Sequence, residues 1–203
     1  MTALSGVALL PARSDMERVI AFREATGDDV NGPMLGVDEN IPHITLLQCP
    51  FREESLNRNN LAQIARRVKA RAGLLWSLRY QPVGWLFADV YVGANFALHD
   101  QHAALSVMEE HIDRDEVRSN INTIGHTEHE AAMRLRYGYR YIGPSFQPHI
   151  TVGRMSEDGD INDRIASLYT ESLAGTSVVF ERIVFYRAGE FGSCAEVLEQ
   201  IEF

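Results

Sequence analysis

Lysine and net positive charge are what this chain of 203 residues most clearly lacks. Lys69 is the single lysine, and arginine supplies the rest of the 19 basic residues, against 28 acidic residues and a formal net charge of −9. Proteins that hold long nucleic acid usually present a basic face, because phosphate contacts dominate their affinity. We therefore expect no long duplex as a partner. A local arginine cluster could still grip one or two phosphates.

Cysteine and long hydrophobic runs are also scarce. Cys49 and Cys194 form neither a CxxC pair nor a disulfide framework, which is typical of a reducing cytoplasm. No apolar run has the length of a membrane span, and the N-terminus lacks a basic start followed by a long apolar stretch. We accordingly predict a cytoplasmic monomer with no signal peptide and no membrane partner.

The tetrapeptide Pro-His-Ile-Thr occurs twice, at residues 42–45 and 148–151, each time within an alternating apolar run. Histidine and threonine two positions apart on a strand point to one face, and the isoleucine between them points to the other. Two such strands facing each other would bring two imidazoles and two hydroxyls to one cleft, where one imidazole could remove a proton and the other donate one. The alternative is two unrelated strands, each with a structural histidine and a surface threonine.

Hydrophobic periodicity predicts an α+β protein in which a motif strand, a helix and further strands follow one another twice. Because the connections are short, we expect mostly antiparallel strands. The polar stretch 113–130 is predicted to be helix plus loop, and residues 133–142 alternate leucine and tyrosine with arginine and glycine. Helices are predicted at 14–25 with Ser14 or Asp15 as N-cap, 55–72, 98–112 and 161–173, and strands at 6–10, 74–80, 85–96, 178–186, 196–203 and the two motifs.

The two His-x-Thr motifs resemble the signature of the 2H phosphoesterase superfamily, which includes 2′,5′-RNA ligase-like proteins and cyclic nucleotide phosphodiesterases. The helix and the two strands after the second motif, residues 161–203, resemble the ending of that family. The resemblance implies a bilobal α+β fold with an internal duplication, two small mostly antiparallel sheets, flanking helices and a central cleft. We expect one domain over residues 1–203, with an insertion around 113–130.

The resemblance also implies an activity: a metal-independent phosphoesterase acting on 2′,3′-cyclic phosphates or 2′,5′-phosphodiester bonds of small nucleotides or RNA ends. His43 and His149 would serve as general acid and base, and Thr45 and Thr151 would donate hydrogen bonds to the phosphoryl group. No cofactor and no metal is expected. Which histidine is the acid stays open, and the alternative is a non-catalytic module that binds a nucleotide or phosphorylated metabolite in the same cleft.

Two polar residues are predicted to contact the substrate because of their distance from the motif histidines. Arg154 lies five residues after His149, where many RNA ligase-like relatives carry arginine, and Gln48 has the matching position after His43. Strict alternation puts Arg154 on the face opposite His149 unless Gly153 bends the strand. A surface arginine is the alternative.

Aromatic residues and further histidines are weaker candidates. Tyr141 and Phe146 could stack a nucleobase, although aromatic residues beside a strand more often pack the core. An arginine row at 134, 136 and 140 could contact phosphates, or form an exposed charged edge. The pairs His99/His102 and His126/His129 have a spacing that can bind zinc, but no third ligand of suitable spacing accompanies either pair, so no metal site is predicted.

Overall fold

The part of the chain that the structure describes contains seven strands and six helices. This computed structural model describes residues 4–81, 84–93, 96–119, 123, 126–155 and 161–203. Within these ranges no helix has both the length and the apolar character needed to cross a membrane. The strands are β1 (Ser5–Pro11), β2 (Ile44–Cys49), β3 (Ala72–Gln81), β4 (Trp85–Tyr91), β5 (His149–Arg154), β6 (Ser177–Ala188) and β7 (Cys194–Glu202), and the helices are α1 (Arg13–Thr26), α2 (Arg58–Ala65), α3 (Phe96–Met108), α4 (Arg114–Ser119), α5 (Glu128–Tyr137) and α6 (Asp163–Ser172).

The long strand β6 joins two antiparallel sheets. Its first residues pair with β3, and its later residues pair with β1 on one side and β7 on the other. One sheet therefore has the order β2–β1–β6–β7, and the other has the order β6–β3–β4–β5. This is the predicted α+β architecture with antiparallel strands and flanking helices.

The two sheets repeat one another. β2 pairs with β1 and β1 with β6, just as β5 pairs with β4 and β4 with β3. Each motif strand ends its series, and β2 and β5 contact one another. The duplication seen in the sequence thus brings the two motifs together from opposite sheets.

The isoleucine of each motif anchors its strand in the hydrophobic core. Ile44 and Ile150 are buried in the main core cluster, which also holds Leu61 of α2 and Ile165 of α6. Burial of one such side chain contributes roughly 1.5–3 kcal/mol relative to exposure. Because the isoleucine points into the core, the histidine and the threonine on either side of it point to the opposite face of the strand.

Helix α2 is shorter than the sequence indicated, covering Arg58–Ala65 rather than residues 55–72. The cause lies in α3, where the fully buried carboxylate of Asp100 accepts the backbone N–H groups of Lys69 and Ala70 at 2.8 Å each. These bonds hold the chain in a non-helical path before β3 begins.

The predicted caps of α1 were wrong. Ala12 occupies the N-cap position, and it makes no side-chain capping bond. Asp15 instead accepts the backbone N–H of Val179 on β6 at 2.6 Å, which ties the helix to the sheet.

The first half of the alternating stretch 133–142 is helical, because α5 extends to Tyr137. Thr127 and Glu130 form a capping box at the start of α5, and Gly138 ends the helix with a positive φ of 77°. The arginines at 134, 136 and 140 consequently form no row. Arg134 donates to the Gly138 carbonyl, and Arg136 pairs with Glu109. In the predicted insertion, α4 covers Arg114–Ser119, while residues 120–122, 124 and 125 lie outside the described part of the chain.

Candidate active site

Both motif histidines are held by the same local hydrogen bond. Nδ1 of His43 lies 2.7 Å from the carbonyl oxygen of Ile41, and Nδ1 of His149 lies 2.7 Å from that of Gln147. In each case a proline separates the two residues and fixes the backbone, and the residue before a proline is held extended. A carbonyl can only accept, so Nδ1 carries the proton and Nε2 keeps the lone pair in the neutral ring.

Each motif strand contains a β-bulge directly after its threonine. In β2, Thr45 pairs with Ala8 while Leu47 pairs with Val7, so that Leu46 is an extra residue. In β5, Thr151 pairs with Phe87 while Gly153 pairs with Leu86, so that Val152 is extra. The same irregularity at the same place in both halves indicates that it belongs to the motif.

The bulges bring the residue three positions after each threonine back to the face of the threonine. Gln48 pairs with Gly6 and Arg154 pairs with Trp85, and paired residues share one side of a sheet. The Arg154 guanidinium lies 5.5 Å from the centre of the Trp85 ring, on the same side as His149. The strand bend that the placement of Arg154 required is therefore present.

Tyr186 of β6 supports the first motif. Its fully buried ring lies 5.0 Å from the His43 ring, and its hydroxyl is 3.2 Å from the hydroxyl of Thr45. Gln48 Nε2 donates to the same hydroxyl at 3.1 Å. The Tyr186 ring can lie over strand β1 because its partner there is Gly6. A Cβ at Gly6 would lie 2.3 Å from the ring.

A partly buried ion pair lies beside the second motif. Arg79 of β3 makes a two-pronged contact with Asp89 of β4, with its shortest bonds at 2.8 Å. Asp89 pairs directly with His149 across the strands, and the ring of Phe87 lies 4.1 Å from the His149 ring. The two histidines therefore have matching backbone contacts but different surroundings, one with tyrosine and the other with a charged pair.

Burial lowers the pKa of both histidines to about 4. In each case the hydrogen bond to a backbone carbonyl opposes the effect of burial. The pKa of His149 is lowered further by the charges of Arg79 and His43 and raised by Asp89. Both imidazoles are therefore neutral at pH 7, and each has an Nε2 lone pair that can accept a proton.

Side chains from both motifs meet between the sheets. His43, only 8% exposed, lines a small pocket together with Thr151 and Trp85. His149 lines a second cavity, of about 360 Å³, with Tyr141 and Glu130. The charge of His43 also acts on His149. One side chain from each motif, His43 and Thr151, thus lines the same pocket, and the catalytic roles of the four motif side chains and the substrate contact of Arg154 stay predictions.

The remaining predicted contacts fall into three groups. Tyr141 borders the cavity and meets the His149 ring edge-on at 6.1 Å. Gln48 also donates to the carbonyl of Gly192 at 3.3 Å, so the structure gives it a supporting position, and its substrate contact stays a prediction. The prediction that Phe146 stacks a nucleobase is wrong, because its side chain is 7% exposed and packs in the main core.

Sequence reasoning missed Tyr186, Arg79 and Asp89. The alternation of Trp85, Phe87 and Asp89 in a predicted strand was a usable signal that these side chains share a face. No local pattern could pair Tyr186 with a motif 141 residues away in the sequence.

His129 and His99 make ordinary contacts. Nε2 of His129 bonds to the carbonyl of Ile142 at 2.7 Å, and His99 contacts Asp100 at 3.1 Å. Among the residues that the structure describes, no group of three or more His, Cys, Asp or Glu side chains could hold a metal ion.

Comparison with known proteins identifies the fold. No family model and no curated protein matches the sequence. Escherichia coli LigT complexed with phosphate matches with a TM-score of 0.58 at 12% identity, over 99% of this chain and 97% of that one. A crystal structure of a phosphoesterase matches with a TM-score of 0.57 at 12% identity, over 99% and 98% of the two chains.

A third similar structure is the protein TT0787 of Thermus thermophilus. Its TM-score is 0.52 at 19% identity, over 98% of this chain and 97% of that one. Such low identities establish architecture rather than activity. The chain therefore has the α+β fold of LigT, which is the fold that its paired His-x-Thr motifs led us to expect of a 2H phosphoesterase.

Proposed function

We propose that this protein is a phosphoesterase that acts on 2′,3′-cyclic phosphates or 2′,5′-phosphodiester bonds of small nucleotides or RNA ends, without a metal. One observation carries the proposal. His43 and His149 come from equivalent strands of two sheets, have identical Nδ1 bonds to a backbone carbonyl, and lie close enough for the charge of one to act on the other.

This pairing supports general acid–base catalysis. Nε2 of one neutral histidine takes a proton from water, whose oxygen forms a bond to phosphorus. One phosphorus–ribose oxygen bond breaks, and the second histidine, in its protonated form, donates a proton to the departing oxygen. Thr45 and Thr151 hydroxyls and the Arg154 guanidinium would stabilise the charge on the non-bridging oxygens.

The low pKa of both histidines fits this chemistry once an anion binds. A phosphodiester carries a negative charge, which favours the charged form of a nearby imidazole and raises its pKa. The free site holds two bases, and the bound substrate would convert one of them into the acid.

The ligands of similar proteins support a small phosphorylated substrate. E. coli LigT has been crystallised with phosphate, 3′-AMP, ATP and NADP+. The net charge of −9 also favours a small phosphate ester or an RNA end over a long duplex.

The experiment is hydrolysis of the four 2′,3′-cyclic nucleotides in the presence of EDTA by wild type, His43→Ala and His149→Ala. We expect each substitution to lower kcat by roughly 100-fold or more, the usual contribution of a positioned acid or base. His102→Ala is the matched control, since His102 is an exposed histidine on α3.

Two results would count against the proposal. Activity that survives both substitutions would exclude the paired histidines as acid and base. Tight binding of a cyclic nucleotide with no turnover of any substrate would instead identify the cleft as a binding module.

A further inference from the structure

A cavity of about 360 Å³ extends away from His149. Its volume falls in the range of small-molecule sites, roughly 300–1,000 Å³. The first turn of α5 contributes Glu130 and His129 to its wall, and Gln81 of β3 and Tyr141 are also part of the lining. The motifs alone do not account for this space, because His149 is the one motif side chain in its described lining.

We propose that this cavity holds the nucleobase of the substrate and that Glu130 selects bases presenting adjacent N–H donors, guanine above all. The inference rests on the proposed function, in that the phosphate of the same ligand would lie at the histidines.

The charge of the cavity disfavours a second phosphate there. Arg79 is the basic residue in its described lining other than histidine, and its guanidinium is already committed to Asp89. The Glu130 carboxylate would repel an anion. Arg140, behind the wall, is likewise committed to Gln81 and Tyr141. An uncharged group that donates hydrogen bonds, such as a base, therefore fits the cavity better than a polyphosphate.

The Glu130 carboxylate is fixed in position and remains charged. Its Oε2 accepts the backbone N–H of Thr127 at 2.9 Å within the capping box. Partial burial opposes ionisation, but the bonds from Thr127 and the charge of Arg140 outweigh it and lower the pKa of Glu130. A carboxylate offers about four lone-pair positions, so the capping bond leaves acceptor capacity for a ligand.

Gln81 supplies the complementary donor. Its Oε1 accepts the hydroxyl of Tyr141 at 2.9 Å and the guanidinium of Arg140 at 3.3 Å, which turns its amide nitrogen into the donor end of the side chain. Guanine presents N1–H and N2–H₂ side by side with O6 as an acceptor, whereas uracil presents one N–H between two carbonyls. The pair of Glu130 and Gln81 therefore matches guanine.

The test compares kcat/KM for 2′,3′-cyclic GMP and 2′,3′-cyclic UMP in wild type and Glu130→Gln. Glutamine also completes a capping box, so the helix should be retained, and circular dichroism checks this. We expect a loss of roughly 10-fold or more with the guanine substrate, typical of a hydrogen bond to a charged group, and a change under about 3-fold with the uracil substrate. Equal losses with both substrates, or no loss with either, would overturn the inference.

Two further variants sharpen the result. Glu128→Gln removes the same charge from the same helix turn, but Glu128 is exposed and outside the cavity lining, so the guanine preference should persist. Gln81→Leu should reduce the guanine preference independently of α5. A guanine preference that is unchanged in Gln81→Leu and lost in Glu128→Gln would assign the effect to general surface charge and contradict the proposal.

Calorimetry separates this inference from the proposed function. We expect wild type to bind 3′-GMP more tightly than 3′-UMP, and Glu130→Gln to lose that difference. If no cyclic nucleotide is hydrolysed but the binding difference depends on Glu130, the proposed function fails and the base selection stands. If hydrolysis occurs and both bases bind equally, the base selection fails alone.

Discussion

At the scale of single residues, the two halves of the site share a backbone arrangement and differ in what surrounds it. His43 and His149 both have Nδ1 tied to the carbonyl two residues earlier, across a proline. The ring of His43 faces Tyr186, while His149 lies beside the Arg79–Asp89 pair. The two copies of the motif therefore have unequal environments, on which the proposed acid and base roles would depend.

The first prediction concerns the titration of these histidines. In the free protein, NMR signals of both rings should titrate near pH 4, because burial disfavours the charged form. His43→Asn should raise the pKa of His149, since the charge of His43 lowers it. Titration of both rings near 6.5, the ordinary value, would contradict the burial of the site.

The same shifts give phosphate binding a defined pH dependence. Bound phosphate favours a protonated histidine and raises its pKa above about 4, so binding takes up a proton. Phosphate affinity should therefore fall as pH rises through the pKa of the bound state, and calorimetry in buffers of different ionisation enthalpy should detect proton uptake. A pH-independent affinity from pH 4 to 8 would rule out a histidine contact.

The second prediction concerns the support of Thr45. Tyr186→Phe removes the hydroxyl that contacts Thr45 and Gln48 but keeps the ring against His43. We expect kcat to fall about 10-fold with little change in KM, corresponding to about 1.4 kcal/mol for the loss of the hydroxyl and its contacts. Gly6→Ala should instead lower the free energy of unfolding by about 1–3 kcal/mol, because its Cβ would overlap the Tyr186 ring.

At the scale of elements, the sequence predicts the bounds of a helix or strand well where the local residue pattern determines them. It predicts them poorly where a residue distant in the chain does. The spans of β1, α1, α6, β6 and β7 agree with the prediction within a few residues, because each has clear periodicity. The early end of α2 depends on Asp100, 31 positions after Lys69, and no window of sequence contains both. The helix α5 was hidden by an accidental alternation, although its capping box and terminal Gly138 were legible signals.

The bulges are the element-scale feature with the most consequence for the site. A single extra residue, Leu46 or Val152, changes which side chains can reach the cleft. Sequence alternation alone puts Arg154 on the wrong face, and only the strand register corrects this. Gly153 follows the extra residue of β5, and a Cβ at this position would lie 2.6 Å from the carbonyl oxygen of Asn31.

The third prediction tests the contact that ends α2. Asp100→Ala would leave two backbone N–H groups, those of Lys69 and Ala70, without their acceptor in a buried position. We expect the free energy of unfolding to fall by about 2–5 kcal/mol, and urea denaturation measures it. Asp28→Ala, on an exposed turn, serves as the control. A loss under about 0.5 kcal/mol, the range of ordinary surface substitutions, would show that α2 ends for another reason.

At the scale of the whole molecule, the shared strand β6 explains how two sheets can form one site. Because β6 pairs with β3 at one end and with β1 at the other, the two series run outward to β2 and β5, and these strands meet. The repeated motif in the sequence predicted the duplication and the approach of the two motif strands. The cavity beside His149 could not be predicted from the sequence, because its wall includes residues of β3 and α5 that lie far apart in the chain.

The central claim is that His43 and His149 act together as one acid–base pair, and a double-mutant comparison of kcat with a 2′,3′-cyclic nucleotide tests it most directly. When two residues act as a unit, replacing either one removes nearly all of their joint contribution to kcat. The account predicts that His43→Ala, His149→Ala and the double variant lose activity to a similar extent, roughly 100-fold or more each. A single variant with near wild-type kcat, or a double variant whose loss is the product of two independent losses, would contradict it.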